Sequence, residues 1–303
     1  MKVLIIRAGA LGDTIMLMPS IVQLRRNVEI VLAGRNPGID YLKPYVNECI
    51  DYERSGWHIL FMKEPEKDHD PSVPEVDQVI AFLSDSEGKV TENLRIRLPN
   101  TQIDIFPPFP PKKERVHIAL YMAQSLQKTG LPIDAKRAIE EAYKKPLFSN
   151  HNSPMERGGI VLHPGSGSPK KNYSSDLWLE IIKRLMSEYP KKPGRITLLL
   201  GPAEKDSLSF FREGLHERNV DLVFYPERED LLSLLSQTPL YIGHDSGITH
   251  LAAMLGKNVI ALFKQSSIHQ WRPLGPVVKI MIGEKGRSDF IGNIIDKGIE
   301  FLD

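Results

Sequence analysis

Three short stretches carry residue types that could hold phosphate groups and accept a proton. The first, Arg7-Ala8-Gly9-Ala10-Leu11-Gly12-Asp13, joins an apolar run to a helical pattern. Backbone N–H groups and a helix start can approach a ligand at such a junction. Its glycines at 9 and 12 fall short of the G-x-G-x-x-G dinucleotide fingerprint. Asp13 would stand at the carboxyl edge of a parallel sheet, where a carboxylate can accept a proton from a substrate. It could equally N-cap the helix ahead of Thr14, and local spacing leaves both readings open.

The second stretch, His163-Pro164-Gly165-Ser166-Gly167-Ser168-Pro169-Lys170-Lys171-Asn172-Tyr173, lies between a strand pattern and a helix pattern. Glycines for close backbone approach, the hydroxyls of Ser166 and Ser168, and the ammonium of Lys171 are what a diphosphate needs. The Walker arrangement GxxxxGK[ST] is absent, and the plain alternative is a solvated loop. The third stretch, Gly243-His244-Asp245-Ser246-Gly247-Ile248-Thr249-His250, opens another helix, whose first N–H groups make a second anion site. Asp245 or Ser246 would cap it, while His250 falls one turn in and could be an ordinary helix histidine. His244 and His250 lack the i, i+4 spacing of a helical zinc pair, so no metal site is expected. Two single residues complete the set. Glu204, after Gly201-Pro202-Ala203, could bind a ribose diol or sit exposed in a first helical turn. Lys264, just past Phe263, could neutralise phosphate charge or be a solvated surface lysine.

These residues need elements to hold them. Val3–Ile6 is a continuous apolar run, the pattern of a strand buried on both faces. A helix is expected over Thr14–Arg26 and a second strand over Val28–Leu32, which together make a βαβ unit. In the later half, strands are expected at Gly159–Leu162, Arg195–Leu200, Val220–Tyr225, Leu240–Gly243 and Asn258–Phe263. Helices alternate with them at Ser175–Tyr189, near Ala203–Arg218, near Asp230–Ser236 and at Gly247–Leu255, and a terminal helix runs over Ser288–Leu302. Five strands alternating with helices predict a doubly wound α/β domain. Turn formers over Tyr143–Pro154 place a linker there, giving domains 1–150 and 151–303. Residues 63–75, with three prolines in polar surroundings, read as an exposed loop, and Pro107-Pro108-Phe109-Pro110-Pro111 as a rigid spacer.

The 303 residues carry 39 Lys+Arg against 38 Asp+Glu, which excludes the basic excess of a general nucleic-acid binder. The single cysteine, Cys49, excludes an internal disulfide and suits a reducing compartment. No signal-peptide or membrane-spanning run is present, so a cytoplasmic protein is expected, with room for peripheral contact at the inner membrane.

Taken in order, the motifs resemble those of the ADP-heptose:lipopolysaccharide heptosyltransferases, family nine of the glycosyltransferases. Arg7 with Gly12-Asp13 and Pro19 is similar to the family's N-terminal motif, and His163–Ser166 with Lys171 to its phosphate loop. Asp245–His250 is similar to its D-x-G-x-x-H signature, and Trp271, Pro273 and Gly275 to the loop that follows. The resemblance implies a GT-B architecture, two Rossmann-like domains across a cleft, with the acceptor on the N-terminal one and the nucleotide-sugar on the C-terminal one. It implies inverting transfer without metal or other cofactor, from an ADP-linked donor to a saccharide or lipid-linked acceptor, with Asp13 as general base. Ser166, Ser168, Lys171, Glu204, Asp245, Ser246, Gly247, Thr249, His250 and Lys264 would then hold the donor. The chain departs from the pattern at Lys264-Gln265-Ser266, at Tyr173 where a tryptophan is common, and over Val79–Asp85. Two other readings are a UDP-sugar 2-epimerase-like enzyme and a sugar-nucleotide-binding protein without transfer activity.

Overall fold

A computed structural model describes residues 1–302 apart from 55, 64–72, 112, 150–158, 189–194, 216–219 and 284–286. Most of the loop expected at 63–75 and the later part of the expected linker lie outside the described residues. The chain divides into two compact units, Met1–Glu141 and Ala142–Asp303. This division falls ahead of the expected 150/151 boundary because the backbone N–H groups of Leu147 and Phe148 both donate to the Met254 carbonyl. Phe148 is buried there, so the segment belongs to the second unit.

Unit 1 is a five-stranded parallel sheet: β1 (Lys2–Arg7), β2 (Glu29–Gly34), β3 (Glu48–Asp51), β4 (Gln78–Phe82) and β5 (Gln102–Phe106). Its order is β3-β2-β1-β4-β5. Every pair is parallel, and the chain reverses its direction of growth between β1 and β4. β1 is buried from Val3 onward, as its unbroken apolar run requires. Leu4 and Ile6 pack with Val31, Ala33, Val79 and Ala81 against Trp57, Val90 and Leu94 on one face of the sheet.

The single helix expected over 14–26 is two, Leu11–Ile15 and Met18–Leu24. Pro19 explains the break: it offers no N–H to the Ile15 carbonyl, and its ring collides with the preceding turn, so it settles at the second position of a new helix. Residues 48–51 and 102–106 were not recognisable as strands. They are the sheet's two edges, half-exposed and interrupted by Glu48, Asp51, Gln102 and Asp104.

Unit 2 holds six parallel strands: β6 (Ile160–His163), β7 (Ile196–Leu200), β8 (Val220–Phe224), β9 (Leu240–His244), β10 (Asn258–Phe263) and β11 (Val278–Ile282). The order β11-β10-β9-β6-β7-β8 is the doubly wound arrangement, with its switch point between β6 and β9. Five strands were expected. The sixth, β11, is an edge whose apolar run is broken by exposed Lys279, so it lacks the mark of a strand buried on both faces. The helix expected near 203–218 is a 3₁₀ segment, Pro202–Ser207, followed by Leu208–Gly214. The terminal helix, Arg287–Leu302, buries Phe290, Ile291, Ile294 and Ile295. These pack with Trp178, Ile181 and Ile182 of the Ser175–Glu188 helix in one core.

Two histidines end neighbouring strands at the switch point. His163 closes β6 and His244 closes β9; burial pulls the first down to about 3 and the second down to about 4. The Tyr173 N–H donates to His244 Nε2 at 2.9 Å, a bond that only an unprotonated nitrogen accepts. From pH 6.5 down to about 4 the unfolded chain binds protons here that the folded chain refuses, so stability falls as pH falls through that window. Denaturant unfolding at pH 7 and pH 5 should differ by about 2 kcal/mol per histidine. His244→Gln should lessen the slope, whereas a pH-independent unfolding free energy would contradict the buried neutral pair.

Candidate active site

The loops leaving β6 and β9 meet at the switch point of unit 2, and there the second and third motifs form one structure. Lys171 sits at the end of the 3₁₀ turn Pro169–Lys171 and donates from Nζ to Asp245 Oδ2 at 2.7 Å. His250 Nε2 lies 3.4 Å from the other carboxylate oxygen. Asp245 and His250 are buried, whereas the Lys171 side chain is 35% exposed. Burial alone would raise the Asp245 pKa. Its bonds to His250 and Lys171 win and hold the carboxyl well below the usual range. His250 is therefore a partner of Asp245 and more than a helix histidine.

Ser246, next to Asp245, is the N-cap of the helix Gly247–Met254; its hydroxyl accepts the Thr249 N–H at 3.3 Å. The first-turn N–H groups at Gly247 and Ile248 have no intrahelical acceptor, which leaves them for an anion. The buried Thr249 hydroxyl donates to the His244 carbonyl and lies 3.1 Å from both Tyr241 Oη and Ser246 Oγ, so it braces the start of the helix.

The β6 loop is shaped by side chains beneath it. The Ser166 hydroxyl lies 2.6 Å from Asn172 Oδ1 and 2.9 Å from the Ser168 carbonyl, which curls the loop upon itself. Ser168 is half-exposed and Gly167 exposed. Lys264 is exposed and brought back to this loop, donating to the Asn172 carbonyl at 2.9 Å with its Nζ 5.6 Å from the Tyr173 ring centre.

Glu204 is not the exposed first-turn glutamate that spacing allowed. It is 7% exposed; Oε2 accepts the Gly201 N–H at 2.8 Å, and Oε1 is buried without a partner among the described residues. Burial pushes its carboxyl above the ordinary glutamate value. A Cβ on Gly165 would fall 2.1–2.3 Å from this carboxyl group, so only glycine lets the loop cross it.

Unit 1 places its three candidates at the carboxyl end of β1. Asp13 is not the N-cap. Ala10 holds that position, and Asp13, third in the helix, reaches back so that Oδ2 accepts the Ala10 N–H at 3.2 Å. Its carboxylate is half-exposed and keeps further acceptor capacity. Gly12 is the residue before it in the same turn. Arg7 is buried, donating from Nη1 to the Pro108 carbonyl at 2.8 Å and from Nε to the Asp13 carbonyl at 3.4 Å. The Pro107–Pro111 segment, expected to be a spacer, is thus part of the support of the Asp13 loop.

Sequence reasoning also missed the anchors behind the β6 loop. The Tyr173 hydroxyl donates to the Phe263 carbonyl at 3.0 Å and accepts the Gly283 N–H at 2.8 Å, and its ring stacks on His244. Trp271, noted only for resemblance, lies with its ring centre 5.9 Å from Lys171 Nζ. Neither contact has a local sequence signal, since each joins residues about 70 to 110 positions apart.

Among known proteins, the chain is similar to the Campylobacter coli lipopolysaccharide heptosyltransferase 1, with 25% identity over 131 residues, 42% of this chain. That match spans 37% of the relative's own length. Two solved structures share the fold. The E. coli heptosyltransferase WaaC with ADP has a TM-score of 0.71 at 15% identity, covering 99% of each chain. The E. coli ADP-heptose lipopolysaccharide heptosyltransferase II has a TM-score of 0.69 at 17% identity, covering 100% of this chain and 98% of that one. These agree with the GT-B fold class of two parallel Rossmann-like sheets. Residues 106–290 match the model of glycosyltransferase family 9 (heptosyltransferase), more than half of the sequence, and the chain belongs to that family.

Proposed function

We propose that this family 9 protein transfers a heptose from an ADP-linked donor to a saccharide hydroxyl of a lipopolysaccharide-type acceptor, with inversion at the anomeric carbon. The observation that carries the donor half is the Lys171–Asp245–His250 cluster beside the open helix start at Gly247. Departure of a diphosphate develops negative charge. An oriented ammonium and first-turn N–H groups stabilise that charge as it forms. They supply the positive potential that a divalent cation supplies in other phosphoryl sites, so metal-free transfer is the expected mode.

Glu204 fits a ribose for the same reason that its environment is unusual. A buried carboxyl oxygen without a partner among the described residues, next to a loop with no side chain at Gly165, suits a pair of hydroxyl donors. The E. coli heptosyltransferase structure with ADP favours adenine over uracil in this reading. The acceptor half rests on Asp13, whose half-exposed carboxylate can take the proton of the attacking hydroxyl while the Ala10 N–H holds it in place.

Calorimetry in the presence of EDTA should register ADP binding, and Lys171→Ala should weaken it by about tenfold or more, the scale of a charge-assisted bond. A strict magnesium requirement, or preference for UDP, would overturn the donor assignment. Within the same loop, Gly165→Ala should lose ADP affinity, since its Cβ meets Glu204. Gly167→Ala, with nothing within 4 Å of the added carbon, should bind as wild type. Equal behaviour of the two variants would refute the close approach at Gly165.

Asp13→Asn separates enzyme from binding protein. Asn keeps an oxygen for the Ala10 N–H, so melting temperature and ADP affinity should be unchanged, while transfer falls by about 10²–10⁴. Transfer at the wild-type rate would remove Asp13 as the base.

A further inference from the structure

The donor chemistry makes no use of Pro107-Pro108-Phe109-Pro110-Pro111, yet unit 1 holds this segment firmly. The Tyr121 hydroxyl donates to the Pro107 carbonyl at 2.8 Å, and Arg7 Nη1 donates to the Pro108 carbonyl at 2.8 Å. The Arg7 guanidinium also lies 5.1 Å from the centre of the Phe109 ring. Pro110 is buried. Phe109 nevertheless remains 44% exposed. An exposed phenylalanine needs no explanation where it stands alone on a surface. This one rests on a buried guanidinium, and the same guanidinium donates to the backbone of Asp13. The ring is therefore fixed in relation to the carboxylate assigned as base.

The neighbouring residues add a cavity. Phe106 and Pro107 border a space of about 510 Å³ at the carboxyl ends of β4 and β5, which Ser84, Ser86 and Thr91 also line. That volume lies within the ~300–1,000 Å³ of small-molecule sites. Asp85 keeps the rim in shape, accepting the N–H groups of Val90 and Thr91 at 3.0 Å each and the Thr91 hydroxyl at 2.6 Å. A pyranose presents an apolar C–H face and a belt of hydroxyls. An exposed aromatic ring two residues beyond the wall of a cavity lined in part by serine and threonine answers both.

We propose that the Phe106–Phe109 corner and the cavity it borders form the saccharide-acceptor subsite of unit 1, with Phe109 as the stacking platform that selects the acceptor sugar. The inference rests on the reading of Asp13 as the base that meets the acceptor. The probe is a deacylated, heptose-free lipopolysaccharide core oligosaccharide, titrated into the intact protein with ADP present. Phe109→Ala and Phe109→Leu should weaken its binding by about 3- to 10-fold, the scale of an aromatic contact beyond simple burial. Phe109→Trp should restore it, and ADP affinity and melting temperature should match wild type in all three. Wild-type binding by Phe109→Leu would show that the ring contributes nothing, and a parallel loss of ADP affinity would reduce Phe109 to a structural part. Either result overturns the platform while leaving the acceptor reading intact. Failure of the wild-type protein itself to bind the oligosaccharide would overturn the acceptor reading and this subsite with it.

Discussion

The buried carboxylate of Asp245 is the constraint from which the rest of unit 2 follows. Placing an aspartate at 3% exposure is costly unless cations or donors surround it. Here the two partners come from different directions. His250 belongs to the helix that Ser246 opens, and Lys171 arrives from the loop after β6, 74 residues earlier in the chain. The ion pair therefore does more than neutralise charge: it draws the β6 loop against the start of the Gly247–Met254 helix. Tyr173 continues the closure, joining that loop to His244 at the end of β9, to Phe263 at the end of β10 and to Gly283 just beyond β11. Four strand ends are thus tied around one acidic side chain.

Unit 1 solves the corresponding problem with the opposite charge. Arg7 closes β1 at 2% exposure, and its guanidinium is met by two backbone carbonyls, one from Asp13 and one from Pro108. Those carbonyls lie on the short helix after β1 and on the segment after β5. One side chain consequently sets the relation between the turn that carries the proposed base and the proline-rich corner. Gly9 belongs to the same constraint, because a Cβ there would fall 2.5 Å from that of Asp13.

The sequence made the central strands and the site loops legible for one physical reason. Strands buried on both faces, such as Val3–Ile6 and Asn258–Phe263, read as unbroken apolar runs, and the glycines and hydroxyls between strand and helix mark where the chain turns. Edges carry neither mark. Glu48–Asp51, Gln102–Phe106 and Val278–Ile282 expose one side and accept polar residues, so half-burial erased their pattern. Within the site, residue types were legible and their partners were not. Lys171 and Asp245 were each recognisable as chemistry-bearing, but their direct bond depends on the strand order that brings β6 beside β9. The burial of Glu204 was hidden likewise, since an isolated first-turn glutamate gives no sign of the loop that crosses it.

Burial and partnership also decide which carboxylate can serve as proton acceptor in the proposed transfer. Asp245 is held below the ordinary carboxylate range by its bonds to His250 and Lys171, which already occupy both its oxygens, so it has little affinity for another proton. Glu204 has the opposite character, with a raised pKa, but it lies buried against Gly165 and is committed through Oε2 to the Gly201 N–H. A hydroxyl attacking an anomeric carbon needs a base that is reachable, oriented and still able to accept. Among these three carboxylates only Asp13 combines a single orienting N–H with access to solvent. In the proposed transfer the division of labour follows from environment: the carboxylate locked between Lys171 and His250 would organise the leaving diphosphate, and the one left half-open would meet the acceptor.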